Sequence, residues 1–205
     1  MNSQYQRILI ASNNQGKISE ITSLLNKLNI EAISPLNFKL QEPEENGKDF
    51  AQNAFIKAKY YAQKTNLVAL ADDSGLCVEA LDNQPGIHSA RFAIDDNGQK
   101  NFPLAFEKIF QQLKEKGIDS SEKAKAFFVC ALCLFDPKTN FSKNFIGRLD
   151  GNINFQALGN NGFGYDPIFI KTGMTQTFGE ISADQKEQIS HRQLAFTKFK
   201  TWLEE

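Results

Sequence analysis

The sequence predicts an α/β fold built on a mixed sheet, and three observations carry that expectation. Helical and strand-like segments alternate through the first third of the chain, as they do where βαβ units fold. The stretch Ala124–Phe135 (AKAFFVCALCLF) is too apolar to be a strand with a wet face and reads as a central strand covered on both sides. Phe141–Gly147 follows it across a DPKTN turn and reads as its hairpin partner.

The elements follow in order. Arg7–Ser12 (RILIAS) reads as a strand. Lys17–Leu28 places Ile18, Ile21, Leu24, Leu25 and Leu28 on one helical stripe. Glu31–Ser34 reads as a short strand and 37–48 as a polar loop rich in Glu. Asp49–Lys64 is helical, with Asp49 as its N-cap. Leu67–Ala71 reads as a strand ending at the pair Asp72-Asp73, just before a Ser-Gly step. Asn101–Lys116 is a helix stopped by Gly117, and Ser190–Leu203 is the closing helix. With no low-complexity segment, repeat or long linker, residues 1–205 read as one domain.

Composition excludes several function classes. The net charge of −1 supplies no global basic field for nucleic acid or an anionic membrane. No apolar run approaches the roughly 18 residues of a membrane span, and the apolar stretch of the N-terminus is too short for a signal peptide. Of the three cysteines, Cys130 and Cys133 form a C-x-x-C that looks like a redox or zinc half-site. Residues three apart in a strand point to opposite faces, however, and there is no second pair, so buried thiols and a reducing cytoplasm are expected.

Four stretches carry chemistry. Ser12-Asn13-Asn14-Gln15-Gly16-Lys17 joins the first strand to a helix, a geometry that aims backbone N–H groups and a helix dipole at an anion. Lys17 stands at a helix start, where a cation is unwelcome unless an anion is bound. The competing reading is a plain helix cap. The acidic loop EPEENG (42–47) is either a solvated loop or, with the Asp pair, a source of carboxylates for Mg²⁺, which needs one or two of them beside waters and substrate phosphates. In GNNGFGYDPIF (159–169), glycines flank Phe163 and leave its ring clear for stacking on a nucleobase, with Tyr165 and Asp166 beside it; a turn with a core Phe is the alternative, since the chain has 18 Phe. In DQKEQISHRQLA, Lys186, His191 and Arg192 gather as donors for phosphate or a base carbonyl, or else decorate an exposed face. No G-x-S-x-G supports a serine hydrolase.

Taken together these residues resemble the inosine triphosphate pyrophosphatase family almost end to end. SNNQGK resembles its phosphate loop and EENGKDFAQNAFIKA its acidic loop and following helix. ADDSGLCVEAL, PGIHSARF, GFGYDPIF and KEQISHRQLA resemble its later signatures, in order. Gln52, where an acidic residue is usual, and Phe92, where Tyr is common, are mild departures.

The resemblance implies an elongated two-lobed α/β fold with a long mixed central sheet flanked by helices and the active site in the cleft between lobes. It also implies a homodimer, Mg²⁺, and hydrolysis of non-standard purine nucleoside triphosphates (ITP, dITP, XTP) to monophosphate and pyrophosphate. By the same resemblance, Ser12, Asn13, Asn14, Gln15, Gly16 and Lys17 hold the triphosphate, with Lys57 assisting. Asp73 is the general base and, with Glu45, a metal ligand. Ser74, Phe163, Gly164, Tyr165, Asp166, Lys186, His191 and Arg192 line the nucleotide site. Within that set, Asp166 is expected to accept the base N1–H, and the Ser190-His191-Arg192 backbone and Arg192 fork to donate to a 6-carbonyl. Asp72 is left open: a metal contact, a turn cap, or a like charge that raises Asp73. A modified-pyrimidine pyrophosphatase and a non-catalytic nucleotide-binding module are the competing functional readings.

Overall fold

The computed structural model describes residues 5–205. The chain opens with β1 (Arg7–Ala11), α1 (Gln15–Asn26) and β2 (Glu31–Ile33), followed by α2 (Phe50–Thr65) and β3 (Ala69–Val78). Then come β4 (Gln84–Pro85), α3 (Ser89–Phe92), α4 (Phe102–Glu115), β5 (Lys125–Asp136), β6 (Phe141–Ile153), β7 (Phe169–Lys171), α5 (Ala183–Ile189) and α6 (His191–Glu204). The strands form one mixed sheet in the order β2-β1-β3-β5-β6-β7, with β4 on β3. β1 pairs in parallel with both β2 and β3, whereas β3–β4 and β6–β7 are antiparallel. The expected α/β class with a mixed sheet is what is found. Among the described residues, no helix is long and apolar enough to cross a membrane.

The chain packs as two compact units. The first comprises Met1–Asp73, Cys130–Gly147 and Arg192–Glu205, of which the structure describes residues from Tyr5 onward. Its sheet strands are covered on both faces. Ile8, Ile10, Leu70, Cys130, Leu132 and Leu134 pack with α1 and α6, while Leu9, Ala11, Ala69, Ala71, Ala131, Cys133 and Phe135 pack with α2. Cys130 and Cys133 therefore lie on opposite faces as strand alternation requires, both buried and neither in a disulfide. The second unit, Ser74–Val129 and Arg148–His191, has its own core around Leu76, Phe106, Ile109, Phe128, Phe169 and Phe178.

Local signals explain the helix boundaries. Asn14 caps α1, its side chain accepting from the Lys17 amide at 3.2 Å. Asp49 caps α2 by accepting from the Gln52 amide at 2.8 Å, and Asn66 closes that helix in the left-handed region. Gln52 itself accepts from the Lys48 amide and donates to Asp49, so its departure from an acidic residue still serves the helix start.

Three readings of the elements need correction. The strand expected to end at the Asp pair instead continues through Asp72, Asp73, Ser74 and Gly75 to Val78. The Ser-Gly step does not interrupt the strand: Gly75 is there because two neighbours come too close for a side chain. A Cβ at Gly75 would lie 2.4 Å from both the Gly86 carbonyl oxygen and Ser89 Oγ. The hairpin strand β6 also runs on to Ile153, past the expected end at Gly147, and α5 was not foreseen as a helix separate from α6. Gly75→Ala is expected to destabilise the protein by about 1–3 kcal/mol through overpacking, lowering Tm by roughly 2–4 °C per kcal/mol. Thermal denaturation followed by circular dichroism checks this, and an unchanged Tm would mean the neighbouring turn yields freely.

Candidate active site

The alternation of β3 explains how two carboxylates can stand side by side. Adjacent strand residues face opposite ways, so Asp72 and Asp73 enter different surroundings. Asp72 is fully buried. Its Oδ1 lies 2.5 Å from Lys17 Nζ, and its Oδ2 accepts from Arg192 Nε at 2.8 Å and Cys130 Sγ at 3.0 Å. Burial opposes ionisation of this carboxyl, but the Arg192 guanidinium and the Lys17 ammonium outweigh it and hold the group well below the usual carboxylate range. The same carboxylate and burial push the Cys130 thiol up, so it serves as a hydrogen-bond donor and not as a thiolate.

Asp73 faces α2. Lys57 sits on the buried side of that helix, with Ala54, Ala58 and Tyr61. Its Nζ lies 3.1 Å from Asp73 Oδ1 and 2.6 Å from Glu45 Oε1. Burial disfavours the charge on this lysine, but Asp73 and Glu45 outweigh it and raise its pKa, so it stays charged. Asp73 differs from its neighbour. Burial raises its pKa, the Lys57 and Lys17 charges oppose this, Glu45 adds to it, and the net shift is upward. Asp73 is 5% exposed, and its Oδ2 is buried without a hydrogen-bond partner.

That orphaned oxygen suits a metal ion or a reacting water. Among the described residues no group of three or more His, Cys, Asp or Glu could hold a metal alone. Mg²⁺ needs less than that, because waters and substrate phosphates complete its octahedron. Asp73 Oδ2, with the Glu45 carboxylate brought near by their shared lysine, is a fitting pair of hard oxygen donors.

The loop before α1 is held in shape by its own side chains. Ser12 Oγ accepts from the Asn14 amide at 3.2 Å, and Gln15 and Gly16 open the helix. The Asn13 amide donates to Glu42 Oε1 at 2.8 Å. A carboxylate of the acidic loop thus occupies one of the N–H groups expected to face an anion, a direct sign that this backbone attracts negative charge.

The second unit holds another cluster. Asp166 Oδ2 accepts from the Phe163 amide at 2.7 Å and lies 2.6 Å from Lys186 Nζ. The Lys186 ammonium stands 4.4 Å from the Phe163 ring centroid, a cation–π contact. Gly162 has a positive φ of 73°, and a Cβ there would lie 2.1 Å from Asp166 Oδ2, so only glycine admits this turn. Gly164 also has a positive φ. His191 stacks on Phe128 with ring centroids 4.6 Å apart. Ser74 is the one partly exposed residue of β3.

Like Asp166, two further candidates meet protein partners at the groups expected to face a ligand. Tyr165 is buried, donates to the Ser89 carbonyl at 2.9 Å and packs edge-on against Phe102; its hydroxyl belongs to the core. The Arg192 fork, expected to read a base, gives Nε to Asp72 and Nη1 to Glu20, at 1% exposure. For Asp72, none of the three options left open describes its main role, which is to gather Lys17, Arg192 and Cys130. Sequence reasoning missed Glu20 and Asn53, and it did not give Cys130 or Glu42 the partners they have here. Asn53, on the same face of α2 as Lys57, accepts from the Gly47 amide at 2.8 Å and leaves its buried Nδ2 without a partner. Glu20 could have been suspected, because it lies three residues after Lys17 on one helix face.

A family model described as Ham1 matches residues 8–202. A dITP/XTP pyrophosphatase of Zymomonas mobilis is 48% identical over 190 residues, covering 93% of this chain and 88% of that one. One from Mesorhizobium japonicum is 40% identical, covering 95% and 91%. Among solved structures, a HAM1 protein from Coxiella burnetii superposes with a TM-score of 0.83 at 36% identity, covering 96% of this chain and 98% of that one. The Ham1 protein of Staphylococcus aureus gives 0.80 at 37%, covering 97% and 98%.

The two aspartates are expected to separate in stability measurements. Asp72→Asn takes the carboxylate from Lys17 and leaves the buried Arg192 with Glu20 alone, and should cost about 3–5 kcal/mol. Asp73→Asn removes a carboxylate that is only half satisfied, and Lys57 keeps Glu45, so the change should stay within about 1 kcal/mol. Urea denaturation of both variants checks this, and equal losses would count against the division of labour.

Proposed function

The chain belongs to the Ham1 family, and on that premise we propose that it hydrolyses non-standard purine nucleoside triphosphates, dITP, XTP and ITP, to the monophosphate and pyrophosphate. The observation that carries this reading is Asp73: a buried carboxylate raised in pKa, fixed on one oxygen by Lys57 and open on the other. A protein that merely binds nucleotide has no use for a carboxylate left in that state. The names of the curated relatives supply the substrate class.

In this reading, backbone N–H groups of residues 13–17 and the Lys17 ammonium hold the triphosphate. Asp73 and Glu45 would hold Mg²⁺ together with the substrate phosphates, and the ion would supply charge neutralisation and Lewis acidity there. Asp73 orients a water and takes its proton, aided by a pKa lifted toward that of a useful base. The water oxygen forms a bond to the α-phosphorus, the α–β anhydride bond breaks, and pyrophosphate leaves with the bridging electrons. Lys57 keeps Asp73 and Glu45 in place through two short contacts. Phe163 offers a stacking face, while Lys186, Asp166 and His191 shape the base site. A homodimer and a cytoplasmic setting belong to the same reading and rest on the likeness to inosine triphosphate pyrophosphatases; light scattering tests the first.

With Mg²⁺ present, pyrophosphate release should be strong from dITP and XTP and weak from ATP. Loss of the base in Asp73→Asn should slow turnover by ~10²–10⁴-fold. In ¹⁸O-water the label should enter the monophosphate, and label in pyrophosphate would place the attack at the β-phosphorus instead. ATP hydrolysed as fast as XTP would defeat the substrate assignment.

A further inference from the structure

Two features of the first unit have no part in the reaction described above. Arg192 is a full positive charge at 1% exposure. Glu20 is a carboxylate near the phosphate loop, where a negative charge repels the proposed ligand. Each accounts for the other. Glu20 lies one turn after Lys17 on α1, so both side chains leave the helix on one face. Arg192 Nη1 donates to Glu20 and Arg192 Nε to Asp72, while the other oxygen of Asp72 meets Lys17. The circuit leaves α1 at Glu20, crosses the first turn of α6 and the middle of β3, and returns to α1 at Lys17. Cys130 closes it from β5 by donating to the Asp72 oxygen that Arg192 also uses.

We infer that Glu20 is a positioning residue for triphosphate binding: by holding Arg192 it fixes Asp72, and through Asp72 it sets the place of Lys17. The inference rests on the reading of Lys17 as a phosphate ligand. Its physical basis is a balance of charge within the circuit, two cations against two anions. Without the Glu20 charge, Asp72 alone must answer both Arg192 and Lys17. Arg192 is the more buried of the two and has the rigid planar fork, so it keeps the carboxylate. Lys17, 13% exposed at its side chain, then loses its anchor and regains the rotamer freedom that phosphate binding must remove again. Direct electrostatics predict the opposite. Removing a negative charge near an anion site should tighten binding, modestly, because the Glu20 side chain is 23% exposed and partly screened.

The two signs make the test decisive. Binding of inorganic tripolyphosphate in the presence of Mg²⁺ is measured by calorimetry on the full chain, for the parent, Glu20→Gln, Lys17→Ala and the double variant. Glu20→Gln should weaken binding ~10-fold, within the range of coupling between side chains of one network. Lys17→Ala should weaken it at least as much. The double variant should bind no more weakly than Lys17→Ala alone, because Glu20 acts only through Lys17; a merely structural loss would add instead. Tighter or unchanged binding in Glu20→Gln, or additive losses in the double variant, overturns the inference. Unchanged binding in Lys17→Ala overturns the reading of Lys17 itself, and this inference with it. Where Glu20→Gln does not fold, Glu20→Asp, which keeps the charge but shortens its reach, enters the same cycle and is judged by the same coupling.

Discussion

Asp72 is an ionised carboxylate with no access to water, and an uncompensated charge in such a place costs many kcal/mol. The elements around it are therefore obliged to bring it donors. α1 supplies Lys17, α6 supplies Arg192 and β5 supplies Cys130. Each of these comes from a different part of the chain, with 58 residues separating Asp72 from Cys130 and 120 separating it from Arg192. A hydrophobic contact would hold the same elements together, but it would not fix their register. Three donors converging on two oxygens do, because a shift of one element by a single residue breaks a charged hydrogen bond. The start of α1, where the loop proposed to hold phosphate ends, is located by that requirement.

Asp73 shows what the rigidity is for. Its backbone is set by the same strand, so its carboxylate cannot turn away to find water. One oxygen has Lys57 and the other has nothing. A group left like this lowers stability, and folded proteins keep such arrangements where a ligand completes them. The upward shift of its pKa has the same origin: burial disfavours the charge, and Glu45 nearby disfavours it further. Neighbours in sequence thus differ in function because strand geometry places one against two cations and leaves the other incomplete.

Much of this was legible in the sequence wherever the signal was local. The caps at Asn14 and Asp49, the apolar stripe of α1 and the doubly covered β5 follow from spacing and residue type alone. The opposite orientation of Cys130 and Cys133 followed from strand alternation. What stayed hidden depends on distant partners. The run of β3 past the Asp pair stayed hidden because the reason for Gly75, the nearness of Gly86 and Ser89, is tertiary. Tyr165 looked like a ligand contact because it follows a glycine-rich turn, yet its hydroxyl is claimed by Ser89. Arg192 looked like a free donor because nothing in its neighbourhood names Glu20 or Asp72 as partners. In each case residue type suggested polar chemistry correctly, and only the fold decided whether that chemistry faces a ligand or the protein.

The cluster around Phe163 illustrates the point from the other side. Asp166 was expected to accept from a base, but one of its oxygens already accepts from the Phe163 amide and from Lys186. Its work is to build the platform: it locks the turn and draws an ammonium over the ring. The cation covers one face of Phe163, which leaves the other for a base in the proposed site. An ammonium only donates hydrogen bonds. Here its partners are the Asp166 carboxylate and the Phe163 ring, so it serves the platform itself.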